Sequence, residues 1–246
     1  MIIRRVCATL LVAVCLMLAA VPGQAQDWGG LQRFAAANAE LSPAVEGKPR
    51  VVLLGDSITE IWPDRHPSFF EETGYIGRGI SGQVSAQMLV RFRQDVIGLH
   101  PAVVVINAGT NDVAENQGPY NEDFTFGNIV SMTELAQANG IAVVLTSVLP
   151  AAAFRWRPAI TDAAEKIAAL NARIRAYAEI QGIPYVDYYS SLVVEDSSRA
   201  LNPAYSNDGV HPVADGYVVM EPLVKKGISE ALAACSACGS GAGRCQ

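Results

Sequence analysis

The amino-acid sequence predicts an α/β fold, a three-layer α/β/α sandwich around a five-stranded parallel sheet. Short apolar runs recur along the chain, as strands that are buried on both faces require. Longer segments with helical spacing of apolar residues separate these runs, so strand and helix alternate five times. This alternation is typical of a layered sheet with right-handed crossovers. Polar clusters follow the runs, at the strand ends where such sheets bind ligands.

The strands and helices are assigned from the apolar pattern. In 163–180, for example, Ile167, Leu170 and Ile174 recur at helical spacing. Gly140 and Gly182 stand just past two helices, as C-terminal caps do. The predicted strands are 51–54, 74–80 (GYIGRGI), 102–107, 141–147 and 183–188, and the predicted helices lie around 83–98, 121–139, 161–181 and 213–233.

The N-terminal residues 1–25 have the pattern of a secretory signal peptide. Arg4 and Arg5 precede an apolar run, and a cleavage point is expected after Ala25. The run is shorter than the roughly 20 residues that a membrane span needs. The sequence therefore predicts a secreted or periplasmic protein without stable membrane insertion after cleavage, with an uncleaved anchor as the alternative.

Three further regions follow. Residues 26–48 are predicted to form a leader helix and linker, 49–234 the main domain, and 235–246 a Cys/Gly-rich tail. The tail holds Cys235, Cys238 and Cys245, whose pairing the sequence does not give. Three thiols without a nearby histidine make an incomplete zinc set, so no metal site is predicted.

The charge balance argues against nucleic-acid binding. The formal net charge is −6, and removing residues 1–25 takes away two arginines and no acids, which gives −8. The chain carries no basic stripe of the kind that phosphate binding needs.

Ser57 is the candidate nucleophile, since it follows the first strand on the tight turn Gly55-Asp56-Ser57. Ordinary loop chemistry is the alternative. A serine hydroxyl needs a base, and His211 lies three residues after Asp208. On a helical turn this spacing places both side chains on one side, so that Asp208 can fix the imidazole tautomer.

An acyl-transfer site also needs donors for an oxyanion. The backbone N–H groups of Ser57 and Gly82 and the side-chain amide of Asn111 are the candidates, with an Asx turn as the alternative role of Asn111. Asp56 is predicted to cap the helix that Ser57 begins, with a direct part in catalysis as the alternative.

These stretches carry a family resemblance. Gly55-Asp56-Ser57, Gly82, Gly109-x-Asn111-Asp112 and Asp208-x-x-His211 resemble, in this order, the four blocks of the SGNH (GDSL-type) hydrolases. The flanking residues resemble the branch with platelet-activating-factor-acetylhydrolase-like acylhydrolases and carbohydrate O-acetylesterases. Gly77 departs from the Asn that is frequent there.

The resemblance implies a flavodoxin-like fold and makes 49–234 an SGNH hydrolase domain. It implies ester hydrolysis through an acyl-enzyme on Ser57, with His211 as base and Asp208 as its orienting residue. Ser57, Gly82 and Asn111 would form the oxyanion hole.

The loop after the fourth strand places Arg155, Trp156 and Arg157 at the same edge of the sheet. They are candidates for binding a sugar ring or an anionic group. The alternative is that Trp156 covers apolar surface and the arginines pair with acids.

The sequence thus predicts a serine esterase for small acyl esters, acetyl esters foremost, with acylated sugars among the substrates and no cofactor. One alternative is a lysophospholipase or thioesterase with a longer acyl pocket. Another is a catalytically silent carbohydrate- or lipid-binding protein on this fold. A flavin or nucleotide site is disfavoured, because no glycine-rich phosphate loop opens the first helix.

Overall fold

The computed structural model describes residues 27–43, 45, 47–194 and 196–239. The predicted signal peptide and the end of the predicted tail, with Cys245, lie outside the described residues. Among the residues described, no helix is both long and apolar enough to cross a bilayer.

The sheet has five parallel strands in the order β2-β1-β3-β4-β5, which confirms the predicted fold class. Each strand falls inside a predicted apolar segment or extends it by one residue. Their bounds are β1 Val51–Gly55, β2 Ile76–Gly79, β3 Val103–Ile106, β4 Ala142–Thr146 and β5 Tyr185–Val186.

Within the described residues, four longer α-helices match the predicted ones, and there are also six short α-helices and one 3₁₀ turn, Ile97–Leu99. The short ones are α1 Ala35–Ala39, α2 Ser57–Glu60, α3 Trp62–Arg65, α4 Pro67–Thr73, α6 Thr110–Val113 and α9 Tyr188–Leu192. The longer ones are α5 Ser85–Asp95, α7 Glu122–Ala138, α8 Ala163–Gln181 and α10 Ala214–Gly239.

The alternation of side chains along β1 creates two hydrophobic cores. Val52 and Leu54 face the layer formed by α5, α7 and α8, whereas Val51 and Leu53 face α3, α4 and α10. Both faces of the strand are buried because helices cover each side of the sheet. Strand β1 therefore ends at Gly55 as a buried strand, at the edge of the sheet where the loops after the strands lie.

The last helix continues past the predicted domain boundary at 234. Its backbone is helical to Gly239, so that the first five residues of the predicted Cys/Gly-rich tail belong to α10. Ala231, Ala233 and Ala234 precede this stretch, and alanine favours continuation of a helix more than any other residue.

The segment before β1 packs on α5 through hydrogen bonds. Gln87 Nε2 donates to the Trp28 carbonyl at 2.7 Å, and Gln83 Nε2 donates to the Gly29 carbonyl at 2.9 Å. Further along, Asn38 Nδ2 donates to Asp95 Oδ1 at 2.7 Å. These contacts fix the segment against the carboxyl edge of the sheet.

Gly79 allows the end of β2 to lie against α2. A Cβ atom at this position would be 2.2 Å from the Glu60 amide nitrogen and 2.6 Å from the Asp56 carbonyl oxygen. Both are backbone atoms, so they can only move if the whole turn moves.

We therefore expect Gly79→Ala to lower the free energy of unfolding by about 2 kcal/mol or more. Gly127→Ala is the matched control, because Gly127 is in α7 with no atom within 4 Å of the new methyl group. It should stabilise the protein by about 0.5–1 kcal/mol. Urea unfolding followed by circular dichroism measures both, and a Gly79→Ala variant as stable as the wild type would contradict this packing.

Candidate active site

The carboxyl ends of four neighbouring strands gather the candidate residues at one edge of the sheet. Ser57 begins α2 directly after β1, and Asp56 caps this helix by accepting the Ile58 amide at 2.9 Å. The predicted capping role of Asp56 is thus confirmed. The cap fixes the turn, so the Ser57 side chain projects from a rigid backbone.

A continuous hydrogen-bonded chain joins Ser57, His211 and Asp208. Ser57 Oγ lies 2.9 Å from His211 Nε2, and His211 Nδ1 lies 2.7 Å from Asp208 Oδ2. A carboxylate can only accept, so Nδ1 carries the proton and Nε2 is left to accept the serine hydroxyl hydrogen. The chain therefore has the polarity that deprotonation of Ser57 requires.

Asp208 and His211 lie on a loop, and the predicted helical turn is wrong. Ser206 pairs with Pro212 in an antiparallel bridge, and Gly209 between them has φ +83°. Asp208 Oδ1 accepts the amides of Val210 and His211 at 2.9 and 2.8 Å, which closes an Asx-type turn. A left-handed glycine in the spacing Asp-Gly-x-His favours such a turn over a helix.

The same turn controls the ionisation of Asp208. Partial burial alone would raise its pKa, but hydrogen bonds from the backbone and ring of His211 and from the Val210 amide outweigh it. The pKa of Asp208 falls to about 2. The carboxylate is therefore ionised throughout the neutral range and can stabilise a protonated imidazole.

Two backbone amides beside Ser57 are available as donors. Within the described ranges, neither the Ser57 N–H nor the Gly82 N–H has a protein acceptor. Gly82 has φ +77°, and no atom lies within 4 Å of the position a Cβ would take. The positive φ, and not steric crowding, explains why glycine follows β2 here.

Asn111 is buried on α6, with its amide directed inwards. Its Nδ2 donates to Asp56 Oδ2 at 3.2 Å and to the Gln83 carbonyl at 3.1 Å, while its Oδ1 accepts Asn116 Nδ2 at 2.7 Å. The side chain is therefore held in one orientation. Asn111 links the turn after β1 to the loop after β2.

Asp56 lies in the interior of this network. Burial raises its pKa to about 6, and the neighbouring carboxylate of Asp112 adds to the effect, whereas the Ile58 amide and His211 oppose it. Asp56 is fully buried, so ionisation of this group costs folding free energy.

The loop after β4 meets the imidazole from the other side. The rings of Trp156 and His211 lie 6.3 Å apart between centroids, and the Trp156 ring is tilted against the buried Phe154 ring, with centroids 5.3 Å apart. Arg155 Nη2 donates to the Asn207 carbonyl, beside Asp208, at 3.2 Å. Arg157 is exposed, and its amide donates to the Phe154 carbonyl. Of the three predicted binding residues, Trp156 is the one with a ring contact to His211.

His66, the histidine nearest to Ser57 in sequence, is bound elsewhere. Its Nδ1 lies 2.5 Å from Glu221 Oε1, between α3 and α10. Ser57 therefore has His211 as its hydrogen-bonded histidine.

Three further residues support the site, and for two of them, Asn116 and Arg91, no role was predicted from the sequence. Asn116 joins Asn111 to the Gly82 carbonyl, at 2.7 and 3.4 Å. Arg91 is fully buried and donates through Nη2 to the carbonyls that end β1 and β2, at 3.0 and 2.9 Å. Asp112 holds α5 by accepting the amide and hydroxyl of Ser85 at 2.9 and 2.5 Å.

A sequence signal existed for Arg91 alone. It forms an i, i+4 pair with Asp95 on the face of α5 that carries Met88 and Phe92. A charged pair on an apolar helix face indicates a buried ion pair.

The fold and this chain of side chains define a hydrolase of the three-layer α/β/α class. Residues 53–219 match the model of the GDSL-like lipase/acylhydrolase family, which is more than half of the chain. The protein therefore belongs to the GDSL-like lipase/acylhydrolase family and is a carboxylic ester hydrolase.

Solved structures agree with this assignment. A GDSL-like lipase from Bacteroides thetaiotaomicron is 60% identical, with a TM-score of 0.82 over 83% of this chain and 100% of its own. A protein assigned as an acylhydrolase from Bacteroides fragilis is 61% identical, with a TM-score of 0.83 over 85% and 100%. Axe2, an acetylxylan esterase from Geobacillus stearothermophilus, is 18% identical with a TM-score of 0.60 over 73% and 94%, which is a likeness of fold. No curated protein matches the chain.

The raised pKa of Asp56 predicts a specific pH dependence of stability. Between about pH 4 and 6 the folded protein keeps a proton that the unfolded chain loses, because the ordinary carboxyl pKa is 3.8 and the folded one about 6. The contribution of Asp56 to the free energy of unfolding should thus fall as pH rises through this window, by up to about 3 kcal/mol.

The variant Asp56→Asn isolates this effect, since asparagine does not titrate. Urea unfolding at pH 4 and pH 7 gives the stability difference between wild type and variant. The free energy of unfolding of the wild type should fall relative to that of the variant as pH rises. A difference that is the same at both pH values would contradict the assignment.

Proposed function

We propose that the enzyme hydrolyses small acyl esters, acetyl esters foremost, through a covalent acyl-enzyme on Ser57. The observation that carries the proposal is the unbroken hydrogen-bonded chain from Ser57 through His211 to Asp208. A serine activated by a neutral imidazole is a nucleophile suited to ester carbonyls.

In the first half-reaction, Ser57 Oγ forms a bond to the ester carbonyl carbon while its proton passes to His211 Nε2. The carbonyl oxygen becomes an oxyanion. The C–O bond to the alcohol then breaks, and the alcohol leaves with the proton from Nε2. Asp208, ionised at neutral pH, stabilises the transient imidazolium.

In the second half-reaction, water replaces the alcohol. It loses a proton to Nε2, attacks the acyl carbon and forms a second oxyanion. The acid product leaves as Ser57 regains its proton from Nε2. The enzyme is thereby restored without any group being consumed.

The proposed oxyanion hole consists of the Ser57 and Gly82 amides and the Asn111 amide. The two backbone donors have no protein acceptor within the described part of the chain, which supports their assignment. Asn111 has two hydrogens and two acceptors, and the longer bond is the one to Asp56, at 3.2 Å. If Asn111 donated to an oxyanion, it would give up the hydrogen bond to Asp56.

We expect Ser57→Ala to lower kcat on 4-nitrophenyl acetate by about 10⁴-fold or more, because the substitution removes the attacking oxygen. The measurement is release of nitrophenolate by the purified protein, with circular dichroism to establish that the fold persists. Ser131→Ala is the matched control. Its hydroxyl donates to the Gly127 carbonyl on α7, so activity should stay within about twofold of wild type.

Retention of wild-type activity by folded Ser57→Ala would refute the nucleophile assignment.

The acyl preference is measured in the same assay with 4-nitrophenyl octanoate. A higher kcat/KM for octanoate than for acetate would replace the small-acyl proposal with the longer-pocket alternative.

We further propose that the enzyme acts in secreted or periplasmic form, because residues 1–25 combine two arginines, an apolar run and a small residue at the end. The exported protein should begin at Gln26 when its N-terminus is sequenced. A retained Met1 on membrane-bound protein would instead indicate an uncleaved anchor.

A further inference from the structure

A cleft of about 470 Å³ lies beside Gly82. Three segments line it: 27–30 from the region before β1, 80–87 from the loop after β2, and 116–117 from the loop after α6. Because Gly82 is a proposed oxyanion donor, a group in this cleft would adjoin the ester carbonyl. The cleft is therefore placed to hold one part of the substrate.

Two exposed tryptophans border this region and are anchored to consecutive residues. Trp28 is 44% exposed and its Nε1 donates to Gln117 Oε1 at 3.2 Å. Trp156 is 43% exposed and its Nε1 donates to Asn116 Oδ1 at 2.9 Å. An indole whose N–H is bonded keeps its orientation while its apolar surface stays open to a ligand.

The segment that carries Trp28 is fixed before any ligand arrives. The Trp28 and Gly29 carbonyls accept bonds from the buried side chains of Gln87 and Gln83. Asp27 accepts the amides of two later residues through both of its carboxylate oxygens, each at 2.8 Å. A preorganised wall loses little entropy when a ligand binds.

The lining of the cleft selects the chemistry of its occupant. Of the described residues that line it, none is a lysine or arginine, and the one carboxylate, Asp27, is committed to backbone amides. The remaining polar side chains are neutral: the Ser81 hydroxyl, the amides of Asn116 and Gln117, and the amides of Gln83 and Gln87, which hold the Gly29 and Trp28 carbonyls. An exposed indole beside neutral donors and acceptors suits an uncharged, hydroxyl-rich ring better than an acyl chain or an anion.

The anchoring loop also contacts the proposed oxyanion groups. Asn116, which holds Trp156, donates through Nδ2 to Asn111 Oδ1 at 2.7 Å and to the Gly82 carbonyl at 3.4 Å. Asn116 therefore connects the tryptophan that borders the cleft to the groups proposed to bind the ester carbonyl oxygen. A sugar ring in the cleft would be held at a fixed position relative to that carbonyl.

We propose that the cleft lined by Trp28 and Gln117 is a sugar subsite that binds the alcohol part of an O-acetylated oligosaccharide. This inference rests on the proposed esterase activity and specifies its substrate class. Trp28 supplies the ring surface, and the neutral side chains bind hydroxyl groups.

The test compares two substrates in one variant. Trp28→Ala should lower kcat/KM on O-acetylated xylo-oligosaccharides by about tenfold or more, mainly through KM, because a ring contact is lost. Its kcat/KM on 4-nitrophenyl acetate should stay within about twofold of wild type. Trp28→Phe, which keeps a ring, should retain most of the oligosaccharide activity and separates loss of the ring from loss of the fold.

Ile180→Ala is the control, since Ile180 is 80% exposed at the end of α8, where the chain turns towards the start of β5. This variant should leave kcat/KM unchanged for both substrates. A second readout is quenching of tryptophan fluorescence in Ser57→Ala by the same oligosaccharides, which should weaken when Trp28 is also replaced.

Three results would overturn the inference. Trp28→Ala could affect both substrates equally, or selectively affect 4-nitrophenyl octanoate, which would indicate an acyl pocket. The wild type could also hydrolyse 4-nitrophenyl acetate but no acetylated oligosaccharide. Each leaves the esterase proposal standing, whereas wild-type activity in Ser57→Ala overturns the esterase mechanism itself.

Discussion

The buried carboxylate of Asp56 is the contact on which the candidate site depends. One oxygen caps the helix that Ser57 begins, and the other accepts the amide of Asn111 from the neighbouring strand end. The turn that carries the proposed nucleophile and a proposed oxyanion donor thus share a single carboxyl group. Its burial works against folding, as the raised pKa indicates, and two hydrogen bonds offset part of that cost. A neutral side chain of the same size would give up the charge-assisted part of these bonds.

A second buried network, centred on Arg91 of α5, binds the ends of β1 and β2. Arg91 donates to the carbonyls of Gly55 and Arg78 and pairs with Asp95, so its charge is neutralised away from water. Burial lowers the pKa of Arg91, while Asp95 opposes the effect. A buried pair of this kind contributes little net stability, but removal of one partner leaves an unpaired charge in the core. We therefore interpret it as a determinant of geometry at the edge of the sheet.

Most of the fold was predictable because it follows from local patterns. Apolar runs gave all five strands, and helical spacing with terminal glycines gave the long helices. The pairing of Ser57 with His211 was also predictable, since parallel strands bring their carboxyl ends to one edge. What failed was conformational detail, since Asp208 and His211 share a loop that Gly209 shapes and not a helical turn. Asn116 was missed because its partners, Trp156 and Asn111, are fixed by tertiary packing that no local pattern encodes.

Asn111 shows how the network bears on the proposed chemistry. Both of its amide hydrogens have acceptors, a carboxylate and a carbonyl. An oxyanion would compete with Asp56 for one of these hydrogens. Which of the two acceptors holds it depends on the negative charge that each carries. The pKa of Asp56 is raised to about 6, so below that pH its hydrogen bond from the Asn111 amide is no longer charge-assisted. The Ser57 and Gly82 amides face no such competition within the described structure. In the proposed oxyanion hole, the two backbone amides would therefore donate without giving up another bond, whereas the Asn111 amide would give up its bond to Asp56.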